Sequence, residues 1–248
     1  MESDSKEGII LNRQDNVDVA GKKWEFDEDV AKCFPDMLKR SIPAYESMRS
    51  LVFSIGRNYV KKNTHICDIG CSDGQAIEPF IKHYGTNNYY ELFDVSEPML
   101  NKCRERFQDW KKTQIVDVRN YDIKNGIPRF SNSLVLSILT LQFTPIEYRH
   151  KIVQSVYDSL MPGCAFILVE KVLGNTSAID EILVKEYYNM KKENSYSQKQ
   201  IADKRKSLEG VLVPITAKWN ENLLKECGFM QIDCFWRCLN FAGWIAIK

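Results

Sequence analysis

The stretch that most constrains this chain is HICDIGCSDG, His65 to Gly74. An apolar strand runs into an acid and a turn carrying Gly70 and Gly74, and a helical pattern opens at Gln75. Such a unit presents free backbone N–H groups and the positive end of a helix dipole to one point, which suits an anion or a nucleotide. The Gly70-x-x-x-Gly74 spacing is looser than the GxGxxG of dinucleotide turns, and alone it serves tight packing equally well. A second acid sharpens the reading. Asp94 ends the next apolar strand, twenty residues after Gly74, where doubly wound folds hold the ribose hydroxyls of an adenosine. Asp94 also stands where it can cap the helix opening at Ser96 and Glu97, and both roles are compatible.

The alternation around that turn sets the fold class. Residues 64–69, 89–94, 113–118, 134–141 and 165–172 read as strands, and residues 75–84, 98–110 and 145–160 as the helices among them. Within 98–110, Met99, Cys103, Phe107 and Trp110 recur at helical spacing and form one apolar face. Pro162 and Gly163 are expected to separate the third of these helices from the strand after it. Strands separated by helices predict an α/β, Rossmann-like fold with a mostly parallel, seven-stranded sheet. The ending GFMQIDCFWRCLNFAGWIAIK reads as two strands about a turn, so the last strand is expected to be antiparallel. Further helices are predicted over 24–40, 44–60, 177–190, 196–208 and 215–227. Residues 1–20, polar and without period, read as a mobile tail. Residues 21–248 read as one domain with helical additions at about 21–61 and 177–208.

Composition excludes several classes. A net charge of +1 argues against a strongly basic nucleic-acid domain. No apolar run approaches the roughly 20 residues of a bilayer span, and the polar start MESDSKEG carries no secretory signal. The eight cysteines form no CxxC pair, and His65, His83 and His150 are scattered. No metal site is expected, and the cysteines read as reduced thiols of a cytoplasmic protein.

The residues around both acids point to one cofactor. Asp68-x-Gly70-x-x-x-Gly74 and Asp94-x-Ser96-x-x-Met99-Leu100 resemble the first two motifs of class I S-adenosylmethionine (SAM) methyltransferases. Asp122 fits their adenine-side acid, and Leu160-Met161-Pro162-Gly163 resembles their late Leu-x-Pro-Gly motif. Segments outside that shared core narrow the resemblance. Trp24-Glu25-Phe26-Asp27, Phe34-Pro35-Asp36-Met37, Arg40-Ser41-Ile42-Pro43-Ala44-Tyr45 and Leu139-Thr140-Leu141-Gln142-Phe143 resemble carboxy-S-adenosylmethionine (carboxy-SAM) synthases. So do Glu170-Lys171, Tyr196-Ser197, Lys204-Arg205 and Leu239-Asn240-Phe241, and the likeness runs from residue 24 to 248. It implies a homodimeric enzyme that converts SAM and prephenate to carboxy-SAM and phenylpyruvate. The product would serve a second enzyme that carboxymethylates a tRNA wobble uridine. Neither nucleic acid nor membrane would be bound by this chain itself.

Carried over residue by residue, the resemblance implies cofactor-binding roles for Tyr45, Gly70, Cys71, Ser72, Asp94, Val95, Asp122, Ile123 and Arg205, with Asp68 and Gly74 from the first motif. Arg205 is the catalytic candidate, implied to hold the added carboxylate. Its guanidinium stays charged and offers a planar fork to two oxygens. The alternative for Arg205 is a solvated helix face beside Lys199, Lys204 and Lys206. Glu170 and Lys171 either line the prephenate site or form an exposed ion pair at a strand end. The chain departs from the family at Val95 and Ile138, where the family has Asn, at Asp73, usually apolar, and in a loop over 124–130 one residue longer. Two other readings stay open: a SAM-dependent methyltransferase acting on a small molecule, and a non-catalytic SAM-binding partner protein.

Overall fold

The computed structural model describes residues 15–248; the part of the predicted tail over 1–14 lies outside the described residues. Five strands, β1 (His65–Ile69), β2 (Tyr89–Asp94), β3 (Val116–Asn120), β4 (Asn132–Ile138) and β5 (Leu160–Leu173), pair in parallel in the order β3-β2-β1-β4-β5. β8 (Phe241–Ile247) then pairs antiparallel with β5, and β7 (Gln231–Cys238) pairs antiparallel with β8. Seven strands thus lie on the main path, as the sequence predicts, with a two-residue β6 (Ile215–Thr216) added beside β5.

Both faces of the sheet are covered, which is why its central strands read as unbroken apolar runs rather than alternations. Leu134, Val135 and Leu136 of β4 are all fully buried. Val135 packs with α5 (Ile146–Ser159) and α8 (Ala217–Glu226) through Val153, Val156 and Leu224. Leu134 and Leu136 pack on the other side with α2 (Tyr45–Gly56), α3 (Glu78–Tyr84) and α4 (Glu97–Arg106) through Met48, Phe80 and Leu100. Each such side chain contributes about 1.5–3 kcal/mol by leaving water. α1 (Glu28–Ser41) adds a third cluster, in which Trp24, Phe34 and Met37 meet Met99 of α4. α6 (Ser177–Glu193) and α7 (Gln198–Leu208) are the later insertion.

Several predicted boundaries move, each for a local reason. α1 starts at Glu28 rather than 24, because the Asp27 side chain accepts from Val30 N–H and caps the helix. Residues 15–20 are not tail throughout: Asp15 is buried against α1 and α7. α4 stops at Arg106, and a 3-10 turn over Gln108–Thr113 delays β3 to Val116. β4 ends at Ile138, and Leu141–Phe143 form a 3-10 turn. Thr216 caps α8, so Ile215 is strand. Pro162 and Gly163 do not end β5; they form a bulge within it, where the partner register jumps from Asn132↔Leu160 to Leu134↔Ala165.

Candidate cofactor and substrate site

Strand order reverses between β1 and β4, and ligands of open α/β sheets bind outside the strand C-termini at such a switch point. There β1 ends in the glycine turn. The N–H groups of Gly70 and Cys71 both donate to Phe93 O, at 2.7 and 2.9 Å, which draws the turn over the end of β2. Gly70 has φ +72°, and a Cβ on it would overlap the Thr140 side chain of the loop after β4; only glycine lets these two loops approach. Ser72, with φ +48°, is held in that left-handed conformation by a 2.9 Å bond from its N–H to Asp94 Oδ2. Asp94 Oδ1 accepts from Ser96 N–H at 2.8 Å. Asp94 therefore ties the turn to the start of α4 and also lines the cavity beside it.

Two compartments meet at this turn. Gly70, Ser72, Asp94, Val95, Asp122 and Ile123 line the first. Tyr45, Gly70, Cys71 and Ser72 line the second, together with Arg49, Ile138, Lys171, Lys191 and Lys204. Trp24, Phe26, Leu139 and Phe143 belong to both walls. Asp68 lies behind the turn, at the C-terminal end of β1, fully buried, and among the described residues neither carboxylate oxygen has a hydrogen-bond partner. Burial pushes its carboxyl up to about 7; Arg49 opposes the rise, and Asp94 and Asp73 add to it. A desolvated acid without donors is completed by a cation. The residues fit SAM on these grounds: Asp94 would take ribose hydroxyls in the first compartment, and Asp68, which lines neither compartment, would complement the ammonium of the amino-acid end from beneath the turn.

Other expected residues stand differently. Gly74 lines neither compartment. Its N–H donates to Cys71 O at 2.8 Å, and a Cβ on it would lie 2.5 Å from the Phe107 ring, so it serves packing of α4 under the turn. Arg205 is exposed and lines a separate surface groove with Tyr188 and Lys192. Its neighbour Lys204 is the one that turns inward, over the Trp24 ring at 4.8 Å and paired with Asp15 at 3.2 Å. Within one chain, Arg205 does not reach the site expected of it. Glu170 and Lys171 form no exposed ion pair, because they project to opposite faces of β5. Buried Glu170 accepts from Leu141 N–H at 3.0 Å, while Lys171 enters the second compartment. The departure at Asp73 is locally compensated by Arg106, 2.8 Å away. Val95 is 62 % exposed.

Sequence reasoning missed Lys191, Arg49 and Trp24 as site residues. Trp24 Nε1 is buried, without a hydrogen-bond partner among the described residues, in the wall common to both compartments. Lys191 sits in the run Lys191-Lys192-Glu193, where nothing local separates a buried lysine from a solvated one. Cys71 presents backbone rather than sulfur chemistry. Burial pushes its thiol well above the ordinary range, with Cys103 adding to the rise, so no thiolate forms near neutrality. Cys71→Ser should therefore keep turnover within about threefold. Complete loss of turnover with SAM binding intact would mean a nucleophilic thiol.

Comparisons with known proteins bear on the fold and the family. A family model described as a methyltransferase domain matches residues 67–166. Human N-acetylserotonin methyltransferase in complex with SAM superposes with TM-score 0.58 at 14% identity, over 89% of this chain and 55% of that one. An O-methyltransferase family protein from Burkholderia thailandensis superposes with TM-score 0.61 at 12% identity, over 90% and 60%. This chain thus spans little more than half the length of those structures, and the likeness concerns the fold. Relatives of matching length are closer in sequence. The carboxy-S-adenosyl-L-methionine synthase of Methylococcus capsulatus is 35% identical over 98% of this chain and all of its own. That of Haemophilus ducreyi is 34% identical over 91% of this chain and 92% of its own. The chain belongs to the carboxy-S-adenosyl-L-methionine synthase family, as a SAM-dependent transferase of the class I methyltransferase fold.

Proposed function

We propose that this enzyme makes carboxy-SAM from SAM and prephenate. The observation that carries the reading is the pair of adjoining compartments, one lined by the ribose-side acid Asp94 and the other by cations and aromatic rings, meeting at the Gly70–Ser72 turn. A methyltransferase acting on a neutral nucleophile has no use for buried lysines beside its cofactor. A dianionic acid does. SAM supplies a sulfonium-activated methyl carbon that becomes the acceptor of CO2. Prephenate loses its ring carboxylate as CO2 while its hydroxyl leaves, takes up the proton released from the methyl, and departs as water; phenylpyruvate remains. The protein's part is to hold both substrates at the shared wall and to exclude water there, which Trp24, Phe26, Leu139 and Phe143 do. Product of this kind suits a downstream enzyme that carboxymethylates a tRNA wobble uridine, in the cytoplasm. Incubation with SAM and prephenate should yield phenylpyruvate and a ligand heavier than SAM by the mass of one CO2 in native mass spectrometry. A protein that forms neither is a plain methyltransferase or an inert SAM binder.

The placement of Arg205 adds a second element to the proposal. The enzyme works as a homodimer, and Arg205 of one protomer meets the carboxylate of carboxy-SAM held by the other. Support comes from its exposure on α7 and from Ile179 and Ile182 of the adjoining α6, exposed by 48% and 61%. Arg205→Ala should weaken carboxy-SAM about tenfold and leave SAM within twofold. Mixing an Arg205→Ala protein with an Asp94→Ala protein should restore activity, because one site of each mixed dimer is then intact. A monomer in sedimentation, or mixtures without recovery, would remove the role in trans.

A further inference from the structure

We propose that Lys171 and Lys191 form a paired carboxylate-binding subsite, and that the second compartment takes a dicarboxylate whose two anions flank an apolar ring. The proposal rests on the synthase reading, for which prephenate is such an acid, and it assigns the residues that recognise it. Lys171 comes from β5 and Lys191 from α6, yet their ammonium groups meet over one ring: Nζ lies 4.6 and 5.7 Å from the Tyr187 centroid. Lys191 also lies 4.8 Å from the Tyr196 ring and is 4% exposed. Among the described residues neither ammonium has an ion pair or a hydrogen-bond acceptor. The other cations of this compartment are engaged, Lys204 by Asp15 and Arg49 by the carbonyl of Gln75. A buried cation with aromatic contacts but no carboxylate in ion-pair or hydrogen-bond reach is poorly compensated, and an incoming carboxylate is what it lacks. Much of the lining of this compartment is apolar, with Met37, Leu38, Ile138, Leu139 and Phe241, and so accepts a ring.

The same geometry gives the subsite a measurable signature. Burial pushes Lys191 down to about 7; Lys204, Lys171 and Arg40 act in the same direction and Asp15 against it. Burial pushes Lys171 down to about 8, with Asp180 of α6 opposing. Burial holds the Tyr187 and Tyr196 phenols up, so they stay neutral. Both lysines are therefore part-deprotonated in the free protein near neutrality, and a dianion must bring protons with it. Binding should take up about one proton per ligand at pH 7.5, approaching two near pH 9 and none near pH 5.5.

Titration calorimetry with prephenate, in buffers of different ionisation enthalpy, reads this directly. Lys171→Met and Lys191→Met should each weaken prephenate at least tenfold and reduce the proton uptake, with SAM affinity retained as the measure of an intact fold. Lys191→Arg should bind prephenate while abolishing the Lys191 share of the uptake, since a guanidinium does not deprotonate here. Turnover of prephenate by a wild type that shows no uptake, or unchanged affinity in both methionine variants, overturns the subsite and leaves the synthase reading standing. Lysine-dependent, proton-linked binding without phenylpyruvate formation keeps the subsite and overturns the synthase. Absence of prephenate binding by the wild type overturns both.

Discussion

Asp94→Ala is expected to weaken SAM by about 3 kcal/mol, roughly 100-fold, in a protein that still folds. Two losses add. The first would be the expected contact between the carboxylate and the ribose hydroxyls, a charge-assisted hydrogen bond. The second is the shape of the turn, because Ser72 has φ +48° and its N–H has Asp94 Oδ2 as acceptor. Without that acceptor a non-glycine residue has less reason to stay left-handed, and the free protein relaxes to a turn that must be reordered on binding. Asp94→Asn separates the two. One amide oxygen can accept from Ser72 or Ser96 but not both, and the amide nitrogen faces a donor, so the affinity should fall between wild type and alanine. Thermal unfolding should move by a few degrees only, since β2 and α4 keep their buried contacts through Leu92, Phe93, Met99 and Leu100. Unchanged calorimetric affinity in the folded alanine variant would place the cofactor elsewhere.

What the sequence revealed follows from how local each signal was. β1, its acid and the glycine turn were legible because strand, turn and helix onset are contiguous. The position of Asp94 was legible because a βαβ unit has a nearly fixed length. The antiparallel last strand could be read from two β patterns about one short turn. The start of α1 was misplaced although a cap signal was present in Asp27-Glu28-Asp29, because apolar Trp24 and Phe26 continued the helical pattern outward while the structure uses them as a wall of the site. Lys204 and Arg205 mark a harder limit. Adjacent residues on a helix point about 100° apart. Which of them enters the cavity depends on how α7 docks, and that is set by contacts such as Ser207 O with Trp24 N–H, 183 positions away in the chain. Asp15 and Lys191 carry no local signal at all. Both look solvated in sequence, and only the packing of α1, α6 and α7 buries them.

The other large effect belongs to Asp68, whose environment is expected to make SAM binding depend on pH. Its carboxyl is fully buried, has no hydrogen-bond donor among the described residues, and is pushed up to about 7. A ligand ammonium favours the ionised form and so lowers this value in the complex. SAM affinity should then rise with pH, by up to tenfold per unit between about pH 5 and 7, and level off by pH 7.5. Prephenate, if held by the proposed lysine subsite, should respond in the opposite sense, so the two ligands would be bound well together only in a band near neutrality. Asp68→Asn should hold SAM affinity at its low-pH level throughout, roughly 100-fold below wild type at pH 7.5. Its effect on stability has the reverse sign. A carboxyl raised in the folded state above its unfolded value of about 3.9 contributes stability that is complete below that value and is lost as pH rises through about 7. The asparagine variant escapes that loss and should unfold at a higher temperature than wild type at pH 8, while matching it near pH 4. Weaker binding joined to greater stability distinguishes a residue kept for its ligand from one kept for the fold. SAM affinity that is flat with pH in the wild type, or unchanged by Asp68→Asn, would show that the ammonium is held elsewhere and that the unpaired acid beneath the turn has another purpose.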